Sequence, residues 1–123
     1  MTTHFTTTHI RGKGRGKILG YPTINMKVPV DFDLPDGIYA SWVTIGKNRY
    51  GGALHWGPIP TFKEEVKSLE VFVLDGDLEF VDISVVSVDI IKKIRDIMYF
   101  PTVDALTAQI ASDVRIITRV LRE

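Results

Sequence analysis

The run Ile38-Tyr39-Ala40-Ser41-Trp42-Val43-Thr44-Ile45, then the turn Gly46-Lys47-Asn48, then Tyr50-Gly51-Gly52-Ala53-Leu54-His55-Trp56 decides the fold. Its first part is rich in β-branched and aromatic residues, which suit a pleated, half-buried surface. A glycine-bearing turn between two such runs predicts strand, turn, strand. Outward from this pair, Gly57-Pro58-Ile59-Pro60 reads as a loop. Residues 69–74 and 78–88 flank Asp75-Gly76-Asp77, and Asp-Gly between apolar runs predicts a hairpin. Upstream, Pro29, Pro35 and Asp36-Gly37 mark a turn-rich stretch. Short strands at this spacing predict an antiparallel barrel or a sandwich.

The period then changes. From Thr102 onward the apolar residues are Val103, Leu106, Ile110, Val114, Ile117 and Leu121, one stripe at helical spacing. Thr102 is placed to cap the helix, Asp104 suits its first turn, and Arg119 and Arg122 suit its last. The plan is therefore a mainly β chain, an antiparallel barrel followed by one long helix, in a single domain over residues 1–123.

Composition narrows the function. The 123 residues are 45% hydrophobic, enough for a real core, and 15 basic residues balance 15 acidic ones. A strongly basic nucleic-acid binder does not look like this, so no nucleic-acid partner is expected. There is no cysteine, which excludes disulfides, thiolate metal sites and cysteine nucleophiles. The threonine-rich start, residues 1–8, lacks a signal peptide's apolar core and reads as a flexible end carrying His4, with His9 close by. No apolar run reaches the roughly 20 residues of a membrane helix. The expected setting is the cytoplasm, with no membrane contact and a monomeric state.

Three segments carry candidate chemistry. Residues 11–22 read as a mobile loop, and its part Gly12-Lys13-Gly14-Arg15-Gly16-Lys17 is the first candidate. Its backbone N–H groups can turn toward phosphate oxygens while Lys13, Arg15 and Lys17 add charge. It lacks the Walker A pattern, and taken alone it reads more readily as a solvated basic hairpin tip. Next comes Gly20-Tyr21-Pro22-Thr23-Ile24-Asn25, in which Pro22 stiffens the entry. In an extended segment Thr23 and Asn25 face one way, placing a hydroxyl beside an amide oxygen, a pair that magnesium accepts together with waters and phosphates. The third is Glu70, a lone carboxylate in Ser68-Leu69-Glu70-Val71-Phe72-Val73-Leu74. Pointing inward it would need a partner, and burial would tune it toward a general base. Strict alternation groups it with Phe72 and Leu74 against Leu69, Val71 and Val73, so both faces are apolar and the pattern leaves its direction open. Arg95, in Lys92-Lys93-Ile94-Arg95-Asp96, reads as part of a surface cluster, and Tyr99-Phe100 as core.

Together these pieces resemble the ATP-dependent riboflavin kinase family. The likeness runs in order through residues 14–25, residues 34–40, Pro60-Thr61-Phe62, residues 69–75, Ile94-Arg95 with Phe100, and Leu106, Gln109, Ile110 and Asp113. The most specific part is Gly14-Arg15-Gly16-Lys17-Ile18-Leu19-Gly20-Tyr21-Pro22-Thr23-Ile24-Asn25. The resemblance implies a six-stranded antiparallel Greek-key β-barrel with a long C-terminal α-helix. It implies transfer of the γ-phosphoryl group of ATP to the 5′-hydroxyl of riboflavin, giving FMN and ADP with Mg2+ present. Glu70 would take the hydroxyl proton. Gly12, Gly14, Arg15, Gly16, Lys17, Pro22, Thr23 and Asn25 would bind ATP and its phosphates, Thr23 and Asn25 also holding the magnesium. Arg95, Phe100 and Leu106 would line the flavin side.

The chain departs from the family pattern at His55-Trp56, where an Asn and an aliphatic residue are usual, which alters the wall near the nucleotide. It departs again at Asp77-Leu78-Glu79-Phe80, and its first loop is one residue short. These departures raise the alternative of a catalytically inactive flavin- or nucleotide-binding module on the same fold. With no nucleotidyltransferase segment in the sequence, FAD synthesis by this chain alone is not expected.

Overall fold

In this computed structural model, residues 3–12, 19–76, 78 and 83–123 are described. They form β1 (Thr3–Ile10), β2 (Thr23–Met26), β3 (Gly37–Ile45), β4 (Asn48–Ile59), β5 (Glu64–Val73) and β6 (Val85–Arg95), followed by the helix α1 (Val103–Leu121). All strand pairs are antiparallel, and the order β1-β2-β5-β4-β3-β6 closes on itself. Strands β3, β4 and β5 follow one another as neighbours. The chain crosses the barrel ends to make neighbours of β2 with β5 and of β1 with β6, the Greek-key pattern. Closure leaves no strand edge open.

The inward positions are mostly apolar, with Thr7 and Ser41 as buried polar exceptions. Met26, Val43, Leu54, Leu69, Val71, Val86 and Val88 are at most 1% exposed and fill the interior. Phe32, from the connection between β2 and β3, plugs one end, meeting Phe5 and Trp56 edge-on at 5.2 and 5.1 Å. A second apolar layer lies outside the barrel, where α1 covers the outer faces of β3, β4 and β6. There Ile117 packs with Ile38, Ala40 and Phe72. Burying Ile117 contributes about 1.5–3 kcal/mol. The helix begins as its sequence requires, with the Thr102 hydroxyl accepting from the Ala105 N–H at 3.1 Å and Asp104 in the first turn.

Three expectations are overturned. Residues 69–74 and 78–88 are not a hairpin, since β5 pairs with β2 and β4 while β6 pairs with β1 and β3. Asp75 instead takes φ +52° and sends the chain across the barrel end, where Leu78 and Ile83 pack on the core. Glu79 and Phe80 lie outside the described residues. The polar N-terminus is a strand, not a loose end. Its threonines are β-branched, Phe5 and Thr7 point inward, and His4 bonds Asp89 of β6 at 2.7 Å. Finally, β4 continues to Ile59 through the expected loop, with its pairing to β5 interrupted between Gly57 and Ile59.

Candidate active site

The direction of Glu70 follows from the barrel. Leu69, Val71 and Val73 point inward, so Glu70 and Phe72 point outward. Phe72 is apolar because α1 lies nearby, and Glu70 stands half-buried where that cover ends. It does not face the barrel interior, the first of the two directions the sequence leaves open.

Strand register then assembles the neighbours. Glu70 is the Cα partner of Asn25 on β2 and of His55 on β4, while Thr23 lies opposite Phe72. Cross-strand partners on one face hold their Cβ atoms about 4.5–5.5 Å apart. The Thr23 hydroxyl donates to Glu70 Oε1 at 2.7 Å, and the Ser68 hydroxyl donates to Oε2 at 2.7 Å. Both carboxylate oxygens are thus held, and each keeps a lone pair for another donor.

Cavities meet at this row. A polar one of about 380 Å³ is lined by Arg11, Gly12, Asn25, Lys63, Lys67 and Glu70, among others. A smaller, apolar one of about 130 Å³ is lined by Tyr21, Thr23, His55, Glu70, Phe72, Arg95 and Leu106, among others. A third, shallow space takes in Gly12, Pro22, Thr23 and Asn25. Glu70 borders both of the first two. The apolar cavity is smaller than the roughly 300 Å³ at which small-molecule sites usually begin, so a large ring must widen it. Tyr21, packed edge-on against Phe72 at 5.3 Å, stands at its wall.

Gly12 is pressed against Asn25. A Cβ there would fall 1.9 Å from Asn25 Nδ2, so any other residue would have to displace the Asn25 amide. Gly14, Arg15, Gly16 and Lys17, in the middle of the expected mobile loop, lie outside the described residues. On the opposite wall Arg95 is no loose surface cation. It grips Asp113 of α1 with Nε at 2.9 and 3.0 Å and Nη2 at 2.8 Å, and Gln109 adds a bond to the same carboxylate at 3.0 Å. Asp113 is 3% exposed. This bidentate pair ties the end of β6 to the helix. Phe100 is buried behind it, its ring centroid 5.7 Å from the guanidinium, and it does not line the cavity.

Sequence reasoning passed over Ser68 and noted His55 only as a departure from the family pattern. Ser68 shares the Glu70 face by simple alternation, a signal that was available. His55 becomes the neighbour of Glu70 only through register. It lies on the wall with Arg95 and Leu106. Burial pushes its imidazole below the ordinary pKa, against an opposing pull from the Glu70 charge. Among the described residues there is no group of three or more His, Cys, Asp or Glu that could hold a metal. The oxygens of Thr23, Asn25 and Glu70 suit a cation that takes most of its ligands from phosphate and water, as magnesium does.

The family model for flavokinase, described as riboflavin kinase, matches residues 2–121. The chain belongs to the riboflavin kinase family. It is 32% identical over 113 residues to the bifunctional riboflavin kinase/FMN adenylyltransferase of Buchnera aphidicola subsp. Acyrthosiphon pisum, a match covering 89% of this chain and 36% of that protein. It is 28% identical over 113 residues to the RNA-binding riboflavin kinase RibR of Bacillus subtilis, covering 91% and 48%. The chain thus spans between about a third and a half of these curated relatives. The crystal structure of riboflavin kinase from Trypanosoma brucei superposes with a TM-score of 0.72 at 20% identity, covering 99% of this chain and 81% of that one, which establishes the shared fold. Among the described residues no helix is long and apolar enough to cross a membrane.

Proposed function

We propose that this chain transfers the γ-phosphoryl group of ATP to the 5′-hydroxyl of riboflavin, giving FMN. The observation that carries the reading is the junction at Glu70: one carboxylate borders a polar cavity on one side and an apolar cavity on the other. A phosphate-bearing substrate suits the first and a flat apolar ring the second, so the reacting atoms would meet at the carboxylate.

In this reaction the 5′-oxygen forms a bond to the γ-phosphorus. The bond from that phosphorus to the β,γ-bridging oxygen breaks, and ADP leaves. The hydroxyl proton passes to Glu70, whose two oxygens are held in place by the hydroxyls of Thr23 and Ser68. Phosphoryl transfer asks chiefly for positioning and charge neutralisation, and a fixed base beside two opposed cavities supplies the first. Thr23 and Asn25 would hold a magnesium ion, whose charge offsets that of the phosphates. The Thr23 hydroxyl keeps free lone pairs for a cation while giving its proton to Glu70. Gly12 and Pro22 would shape the nucleotide side, with Gly14, Arg15, Gly16 and Lys17 closing over the phosphates. Arg95, braced by Asp113, and Leu106 would wall the flavin ring, with Phe100 behind them. The reading also carries a cytoplasmic, monomeric protein that acts without nucleic acid.

Incubating the protein with riboflavin, ATP and magnesium and separating the flavins tests this directly. FMN above a no-protein control is the expected result. Its absence across several nucleotides and divalent metals would overturn the assignment and leave a binding module on the same fold.

A further inference from the structure

His55 stands on the outward face of β4, between the inward Leu54 and Trp56. Its Nε2–H donates to the carbonyl of Pro58 at 3.2 Å. A carbonyl only accepts, so this bond favours the tautomer with its proton on Nε2, in which Nδ1 is an acceptor. That Nδ1 is buried and, among the described residues, has no hydrogen-bond partner. A buried acceptor without a donor carries an uncompensated desolvation cost, and such an atom in a native fold calls for an explanation.

Its surroundings do not supply the donor. The hydroxyls of Thr23 and Ser68 are given to Glu70, and Arg95 turns its fork to Asp113. Glu70 and Asp113 as carboxylates only accept. The imidazole is kept neutral chiefly by burial, so Nδ1 remains an acceptor at neutral pH. Nδ1 is therefore open to a donor entering the small apolar cavity that His55 lines, which must widen to take a large ring.

Resting on the phosphoryl-transfer reading above, we propose that Nδ1 of His55 accepts a hydrogen bond from a secondary hydroxyl of the acceptor's polyol chain, making His55 a specificity-determining residue for that chain and not for the ring. The register supports the hydroxyl chain as the donor. His55 and Glu70 are direct cross-strand partners, side by side on one face. With the primary hydroxyl at Glu70, the next hydroxyls along the chain run toward His55. In the free protein no described protein group partners Nδ1; binding supplies one.

The test uses the full chain and flavin fluorescence quenching. Riboflavin and lumiflavin, which has the ring without the hydroxyl chain, are titrated into wild type, His55→Leu and His55→Asn. His55→Leu should weaken riboflavin about fivefold to tenfold and shift lumiflavin by less than about twofold. His55→Asn, which keeps an acceptor oxygen, should recover most of the loss. The unliganded melting temperature of His55→Leu should hold or rise, because an unsatisfied buried atom has been removed. Equal losses for both flavins, an unchanged riboflavin affinity, or a lowered melting temperature would each overturn the proposal. A wild-type protein that neither binds riboflavin nor forms FMN fails earlier, and it overturns the kinase reading itself.

Discussion

Strand β5 carries two different environments one residue apart. Leu69, Val71 and Val73 point into the barrel and are at most 7% exposed. Ser68, Glu70 and Phe72 point out and are half-buried at the margin of α1. Inside, the neighbours are mostly carbon chains and the strand chiefly fills space. Outside, hydrogen bonds from two strands converge on one carboxylate. The closed barrel makes this possible, since six strands fix backbone positions tightly enough that register alone can aim side chains. A rigid wall and a reactive face are thus alternate residues of one segment, and substitutions on the two faces should fail in different ways.

The largest expected effect is on the outer face. Glu70→Gln keeps shape and hydrogen-bonding capacity but cannot accept the substrate proton. Turnover of riboflavin to FMN should fall about 10²- to 10⁴-fold, the usual contribution of a positioned base. Flavin quenching and the melting temperature should stay near wild type. Activity close to wild type would show that Glu70 only shapes the junction.

Arg95→Leu should strike stability instead. It strands the Asp113 carboxylate, 3% exposed, without its bidentate partner. Breaking such a pair costs about 3–5 kcal/mol, readable as a lower urea midpoint at unchanged slope. A loss within about 1 kcal/mol, the range of a surface pair, would mean that water replaces the guanidinium, so that the seam under α1 is wet.

On the inner face, Val71→Ala removes two methyl groups from a fully buried position and should cost about 2 kcal/mol. It sits beside Glu70 in sequence and faces away from it. The apparent KM values for both substrates should therefore be unchanged wherever the variant is folded. A shift in KM would show that the barrel wall transmits strain to the junction.

Much of this was legible in the residues. The β-branched runs of β3 and β4 and the stripe of α1 declare themselves, because their periods match what each element buries. Thr23 and Asn25 were readable as a pair, since alternation is local. Four things were not. The hairpin expected at Asp75-Gly76 failed because a favourable turn dipeptide cannot reveal that its flanking strands prefer other partners. Strand β1 was hidden because a barrel strand with a wet outer face needs few apolar residues, here Phe5 and little more. The side chosen by Glu70 was undecided because α1, some 40 residues later, makes the outer face apolar as well. His55 was unreadable for the same kind of reason: it joins the site through β4–β5 register, which no local pattern encodes.

The smallest expected effect tests how dry the outer face is. Burial holds the folded His55 imidazole below its ordinary value of 6.5, while the unfolded chain keeps that ordinary value. Below about pH 6.5 the unfolded state therefore binds a proton that the folded state refuses. Stability must then fall as pH falls, by at most about 1.4 kcal/mol per pH unit from this one group, until the folded imidazole also titrates. In His55→Leu this component disappears, while His4 and His9 remain in both proteins and cancel in the comparison. Urea unfolding of the two proteins at a series of pH values between about 7.5 and 5.5 should give a steeper acid-side loss for wild type. Parallel pH dependence would mean that His55 charges as readily in the fold as out of it. The margin of α1 would then be open to water, and the distinction between the two faces of β5 would be one of chemistry alone and not of solvent access.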